Sequence, residues 1–205
     1  MIPIKSERDL RIMRKSCEIA ANVLDEICRL AAPGVSTWEL DRAAKRIMEK
    51  HHCRSAEYKY KCGSLRYPGY VCISVNDQVI HGIGSKDRIL KDSDIVSFDC
   101  ATIFQGFVGD NTRTVYIGEP SPEVRRLVET TAEALNLGIE MARPGNRVGD
   151  ISAAIQRHVE SRGFGVVREF TGHGVGRSMH EEPEVPNFGR AGTGPVLRPG
   201  MTLAI

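Results

Sequence analysis

The chain has little net charge. Its 28 Lys and Arg residues nearly balance 26 Asp and Glu, for a formal +2 at pH 7. That excess is too small to argue by itself for nucleic acid or an anionic membrane. A long apolar run is also missing. Met1-Ile2-Pro3-Ile4-Lys5-Ser6 leads straight into a polar helix start, so neither a signal-peptide core nor a membrane span is expected. The six cysteines (17, 28, 53, 62, 72 and 100) include no Cys-x-x-Cys pair. Cys17 and Cys28 fall on helical apolar positions, Cys72 and Cys100 in strand-like stretches. They read as reduced core thiols of a cytoplasmic protein, not as a disulfide framework or a thiolate metal site. A dinucleotide loop is a poor fit too: Gly172-x-Gly174-x-Gly176 lacks the third glycine at the required spacing and a preceding parallel βαβ unit.

What is present is a chain of 205 residues, most simply one domain with room for a substantial core. Ser6-Glu7-Arg8-Asp9 predicts a helix N-cap, and Leu10, Met13, Cys17, Ala20, Leu24, Ile27 and Ala31 recur at helical spacing until Pro33-Gly34. Ser36-Thr37-Trp38-Glu39 is a capping box for a second helix, with Leu40, Ala43, Ala44, Ile47 and Met48 on its inner face. Strands are expected at Val71–Val75, Val79–His81, Ile95–Ile103 and Phe107–Ile117, the first two joined by a turn at Asn76-Asp77. Ser121-Pro122-Glu123 caps a third helix.

That third helix opens a repeat. A shift of 111 in residue number takes Ala21 to Ala132, Leu24 to Leu135, Pro33 to Pro144, Gly34 to Gly145 and Arg46 to Arg157. The expectation is an α+β fold with pseudo-two-fold symmetry, helices outside and a curved antiparallel sheet inside, in one domain over 1–205 repeating about 6–117 in 121–205. A second self-match pairs Leu90–Phe98 with Leu197–Ile205 at a shift of 107. On this reading the chain ends inside an apolar strand, one position before the counterpart of Asp99.

Asp99 and Asp110 lie in adjacent apolar strand-like stretches. Burying two carboxylates together is costly unless a cation or a shared proton compensates. For Asp110 alone, a salt bridge to Arg113 is the plainer reading. The stretch Thr171 to Pro183 carries His173 and His180 among three glycines, which allow close backbone approach. An imidazole with carboxylates suits Mn, Fe, Co or Zn. His81 follows an apolar run, and its neighbours are echoed around His173. Glu181 and Glu182 read as a solvated pair or helix-cap acids.

These residues resemble the type I methionine aminopeptidases of the pita-bread family, which also includes aminopeptidase P and creatinase. The matching motifs are Val75-Asn-Asp-Gln-Val-Ile-His81-Gly-Ile83, Asp94-Ile-Val-Ser-Phe-Asp99, Gly106-Phe-Val-Gly-Asp110 and Gly172-His-Gly-Val-Gly-Arg-Ser-Met-His180-Glu-Glu-Pro183. The absence of a large insertion before the last motif resembles type I, not type II. The short N-terminus resembles the bacterial form. The Gly172–His180 motif argues against a relative that cleaves X-Pro bonds or creatine.

The resemblance implies the pita-bread fold and removal of the initiator methionine when the next residue is small. It implies two divalent ions (Co, Mn, Fe or Zn), with Asp99 chelating, Asp110 bridging and His173 as the imidazole ligand. His81 and His180 would contact substrate, His180 at the scissile carbonyl. Tyr67, Met179 and Cys62 would line the methionine pocket, Ser64 standing where a second aromatic is common. Gly84 replaces a usual Pro. The implied partners are N-terminal Met of nascent peptides and the ribosome, with no membrane and no specific nucleic acid, for a monomeric protein. Two further glutamate ligands, one immediately after Ile205, fall outside the sequence, so inactivity and instability of the chain as given are expected. The rival reading is a non-catalytic pita-bread protein that binds peptides or partners.

Overall fold

A computed structural model describes residues 1–205, the side chain of Cys62 excepted, so the pocket assignment of Cys62 lies outside the described residues. The chain divides into two compact units, Arg11–Ser121 and Met1–Leu10 together with Pro122–Ile205.

Arg11–Ser121 holds most of helix α1 (Glu7–Leu30) and all of helix α2 (Thr37–Lys50). Both starts follow from their caps. The amide of Asp9 donates to Ser6 Oγ and that of Ser6 to Asp9 Oδ2, each at 3.2 Å. Glu39 and Ser36 make the same reciprocal pair at 3.2 and 2.9 Å. The helices bury Ile19, Val23, Leu24, Ile27, Leu40 and Met48 against Ile73, Val96, Phe98 and Cys100 of the sheet. Each such large side chain contributes roughly 1.5–3 kcal/mol.

The sheet of this unit is antiparallel. Strand β1 (Arg54–Ser55) and strand β4 (Cys72–Val75) pair along one edge of β5 (Ile95–Phe104), and β6 (Phe107–Tyr116) along the other. Between β1 and β4, β2 (Lys61–Cys62) and β3 (Leu65–Arg66) form a small hairpin. The β5–β6 hairpin turns at Gln105-Gly106 with φ of 49° and 81°. Two consecutive positive-φ residues are the I′ geometry that matches strand twist. Helix α1 meets β6 backbone to backbone, because a Cβ on Gly109 would lie 2.3 Å from the Ser16 carbonyl carbon. Ser16 Oγ lies 3.1 Å from both the Thr102 and Phe107 carbonyls.

One expected strand is absent: Val79–His81 is irregular. Asn76 and His81 take φ of 57° and 58°, conformations that cannot continue a strand. The Gln78 side chain accepts the Val75 amide at 3.0 Å and ends β4.

The second unit holds α3 (Pro122–Met141), α4 (Val148–Ser161) and the sheet β8-β7-β9, made of β7 (Gly172–Gly174), β8 (Glu181–Val185) and β9 (Leu203–Ala204). Its core is Ala134, Val148, Ile151, Ile155, Val185 and Leu197. The loop entering α4 repeats the loop entering α2. Gly34 donates to the Leu90 carbonyl, Leu90 to Val35 and Thr37 to Arg88 at 2.8, 2.8 and 2.9 Å. Gly145 donates to Leu197, Leu197 to Asn146 and Val148 to Pro195 at 3.0, 2.7 and 3.1 Å. Gly34 and Gly145 share the left-handed conformation, φ 90° and 95°, which is why Gly stands at both turns.

Candidate metal centre and histidine pair

In Arg11–Ser121 the register of the long hairpin brings the two acids together. Asp99 pairs with Thr112, and Ala101 with Asp110. Alternation along each strand puts Asp99, Ala101, Asp110 and Thr112 on one face, with the acids diagonal across the ladder. Thr112 Oγ1 donates to Asp99 Oδ1 at 2.8 Å. Arg113 belongs to the other face and pairs with Asp25 of α1, so the plainer reading of Asp110 as an Arg113 partner does not hold. Burial, reinforced by the charge of Asp99, pushes the Asp110 carboxyl up to about 7. A cation would relieve both causes, and two hard oxygen donors fit a divalent ion. Among the described residues, no group of three or more His, Cys, Asp or Glu side chains has the arrangement of a complete ligand set.

Beside the strand that carries Asp99 lies an acid with no signature in the sequence. Glu57 is buried and accepts the Ala101 amide at 2.7 Å and the Ser55 hydroxyl at 2.8 Å. Burial, and secondarily the Asp99 charge, raises its carboxyl well above the usual range. It ties the segment after β1 to the strand that carries Asp99. Tyr67 donates to the Gly82 carbonyl at 2.6 Å, with the Val71 carbonyl at 3.2 Å. It thereby braces the loop of His81, which is exposed. Gly82 is required there, since a Cβ would lie 2.1 Å from the Ile73 carbonyl oxygen.

In the second unit His173 and His180 meet, their rings 4.4 Å apart and inclined by 71°. His173 sits in β7, paired with Glu184 of β8 and Ala204 of β9, and the β7–β8 ladder is irregular between His173 and Gly174. His173 Nδ1 lies 2.9 Å from the Gly174 carbonyl oxygen. A carbonyl only accepts, so Nδ1 is the donor, which leaves Nε2 as the ring nitrogen that a metal ion would use. His180 is exposed and Met179 half-buried.

Glu181 corrects the expectation of a solvated pair. Its Oε2 lies 2.7 Å from Lys5 Nζ, with side chains only 11% and 6% exposed. Its Oε1 accepts the amides of Arg177 and Ser178 at 2.8 and 3.2 Å. Burial alone would raise its carboxyl, but the Lys5 ammonium and the two amides hold it below the ordinary value. Glu182 is exposed, as expected. A surface cavity of about 520 Å³ lined by Trp38, Arg42, Lys45 and Arg46 of α2 contains none of the candidate residues.

The model of metallopeptidase family M24 matches residues 11–205. A methionine aminopeptidase of Clostridium acetobutylicum is 46% identical over 205 residues, covering 100% of this chain and 80% of that protein. The methionine aminopeptidase of Escherichia coli K12 is 44% identical over 205 residues, covering 100% of this chain and 76% of that one. The crystal structure of a methionine aminopeptidase from Thermotoga maritima superimposes with a TM-score of 0.95 at 41% identity, covering 100% of this chain and 81% of that chain. The fold is therefore the α+β pita-bread fold expected from the motifs. With acids and histidines placed as described, the chain belongs to metallopeptidase family M24, among the methionine aminopeptidases.

Proposed function

We propose that this protein removes the initiator methionine from nascent polypeptides in the cytoplasm when the following residue is small. The observation that carries the reading is the pair Asp99–Asp110 on facing strands, where burial and then the Asp99 charge raise the carboxyl of Asp110, in a chain whose relatives are methionine aminopeptidases. Asp99, Asp110 and Nε2 of His173 are the proposed donors to two divalent ions, Mn, Fe, Co or Zn. Bound there, such ions supply Lewis acidity and acidify water.

The chain's own groups do the rest. His180 is proposed to face the scissile carbonyl, where an imidazole donates a hydrogen bond to developing negative charge. His81 stands near the leaving nitrogen, where an imidazole can pass a proton. Tyr67 and Met179 are proposed to contact the methionine side chain. The substrate is N-terminal Met of a nascent chain, so the ribosome is the proposed meeting place, and the protein acts as a monomer. We infer the domain organisation as one domain over 1–205 with a repeat of about 6–117 and 121–205, supported by the matching hydrogen bonds at Gly34 and Gly145.

The test measures methionine released from Met-Ala-Ser and Met-Lys-Ser with added Mn(II) or Co(II), using protein expressed from the whole gene. Release from the first alone, abolished by a chelator, is expected. Peptide and metal binding without release would replace this reading with a non-catalytic peptide binder.

A further inference from the structure

We infer that Lys5 is a positioning residue: through its buried ion pair with Glu181 it fixes the turn 176–181 and with it the edge-on orientation of His180 against His173. Lys5 precedes the stretch matched by the family model, which begins at residue 11. Its significance comes from what its ammonium holds.

Glu181 is the hub of the turn. One oxygen takes the Lys5 ammonium, and the other takes the amides of Arg177 and Ser178. The turn closes on itself where the Gly176 amide donates to the Ser178 carbonyl at 3.1 Å. A side chain at Gly176 would displace that pair: a Cβ would lie 2.6 and 2.7 Å from the Glu181 oxygens and 2.7 Å from Lys5 Cε. The glycine is therefore there to admit the ion pair. Lys5 is itself fixed, its amide donating to the Gly200 carbonyl at 2.8 Å, in the segment that runs into β9. Residue 5 thus ties the segment before β9 to the start of β8, the two strands that flank His173. His180 immediately precedes Glu181, so a displaced carboxylate displaces the imidazole.

A buried pair adds little net stability, yet losing one partner strands the other's charge. Lys15–Glu18, with side chains 56% and 63% exposed, is the contrasting pair and should matter little.

The inference rests on the proposed role of His180 for its kinetic arm only. The variants, made in protein expressed from the whole gene, are Lys5→Met, Glu181→Gln and, as control, Lys15→Met. Imidazole proton shifts of His173 and His180 are read by NMR, and kcat and KM on Met-Ala-Ser by assay. Lys5→Met is expected to shift the His180 signals and lower kcat about tenfold with KM within about twofold, matching about 1.4 kcal/mol of transition-state stabilisation. Lys15→Met should change neither. If Lys5→Met does not fold, Glu181→Gln, which keeps volume and acceptors for the two amides, gives the same readings. A folded Lys5→Met or Glu181→Gln with parental His180 signals overturns the inference, whatever the kinetics. If the parent releases no methionine, the proposed function fails, while the NMR result still decides the role of Lys5.

Discussion

The two units enter their second helices through the same turn and the same hydrogen bonds, yet they hold their chemical groups by different means. Arg11–Ser121 gathers nineteen buried apolar residues into one cluster, and the other unit six, among the described residues. The acids stand on a hairpin of two ten-residue strands. The histidines stand on or beside strands of three and five residues with an irregular ladder. Length and apolar packing fix the first site. A buried ion pair and backbone amides fix the second. A short, glycine-rich strand offers few side chains to pack, so orientation there has to come from directional polar contacts, which are strong only when buried and complete.

The largest effect separating the two sites should come from Asp110. Asp110→Asn is expected to lower methionine release more than about 100-fold, since a ligand should matter at least as much as the supporting groups around one. Its effect on metal-free stability has the opposite sign. The carboxyl sits at about 7 when folded, against an ordinary value of 3.8. Between those values the folded chain binds more protons than the unfolded chain. Stability should therefore fall as pH rises from 4 to 7, by up to about 1.4 kcal/mol per pH unit, and stay reduced above 7. Asp110→Asn should flatten that slope in urea melts, and Mn(II) should raise Tm more at pH 8 than at pH 5 in the parent only. A parental slope that survives the substitution would remove the acid pair as its source.

Glycines test the contrast in packing next. A Cβ on Gly109 meets the Ser16–Cys17 backbone at 2.3–2.5 Å, in mid-helix and pinned to the sheet. A Cβ on Gly149 meets the Arg190 carbonyl at 2.3 Å and Thr193 at 2.5 Å, in an exposed loop that can give way. Gly109→Ala should cost about 3 kcal/mol and Gly149→Ala about 1 kcal/mol, the range for overpacked sites. Equal losses in denaturant melts would deny that the hairpin unit is the more rigid.

What was legible in the sequence follows the same division. Ser36–Glu39 and Ser6–Asp9 announce their helices because a cap is a contact over three residues. The strands of Asp99 and Asp110 are legible from their apolar runs, though only the register shows Arg113 on the opposite face. Val79–His81 reads as a strand and is not one: a short apolar run before a histidine carries no sign of the positive φ at His81. Lys5–Glu181 was invisible because its partners stand 176 residues apart, and Glu57 because its ligand is a backbone amide 44 residues away. Gly176 stands outside the positive-φ glycines, so its need is visible only once its neighbours are placed.

The smallest expected effect compares the two second-helix caps. At α2, Ser36 and Glu39 complete the box in both directions. At α4 only half exists: the Arg147 amide donates to Asp150 Oδ2 at 2.7 Å, but an arginine side chain has no oxygen to accept the Asp150 amide. Ser36→Ala should therefore destabilise by about 1 kcal/mol. Arg147→Ser should stabilise, by less than that, because the new acceptor is offset by the lost bond from Arg147 Nη1 to the Gly194 carbonyl at 2.7 Å. A thermal melt resolves the two signs. If Arg147→Ser destabilises as much as Ser36→Ala, the guanidinium's hold on the 190–194 loop outweighs the helix cap, and α4 is anchored from its loop rather than from its own first turn.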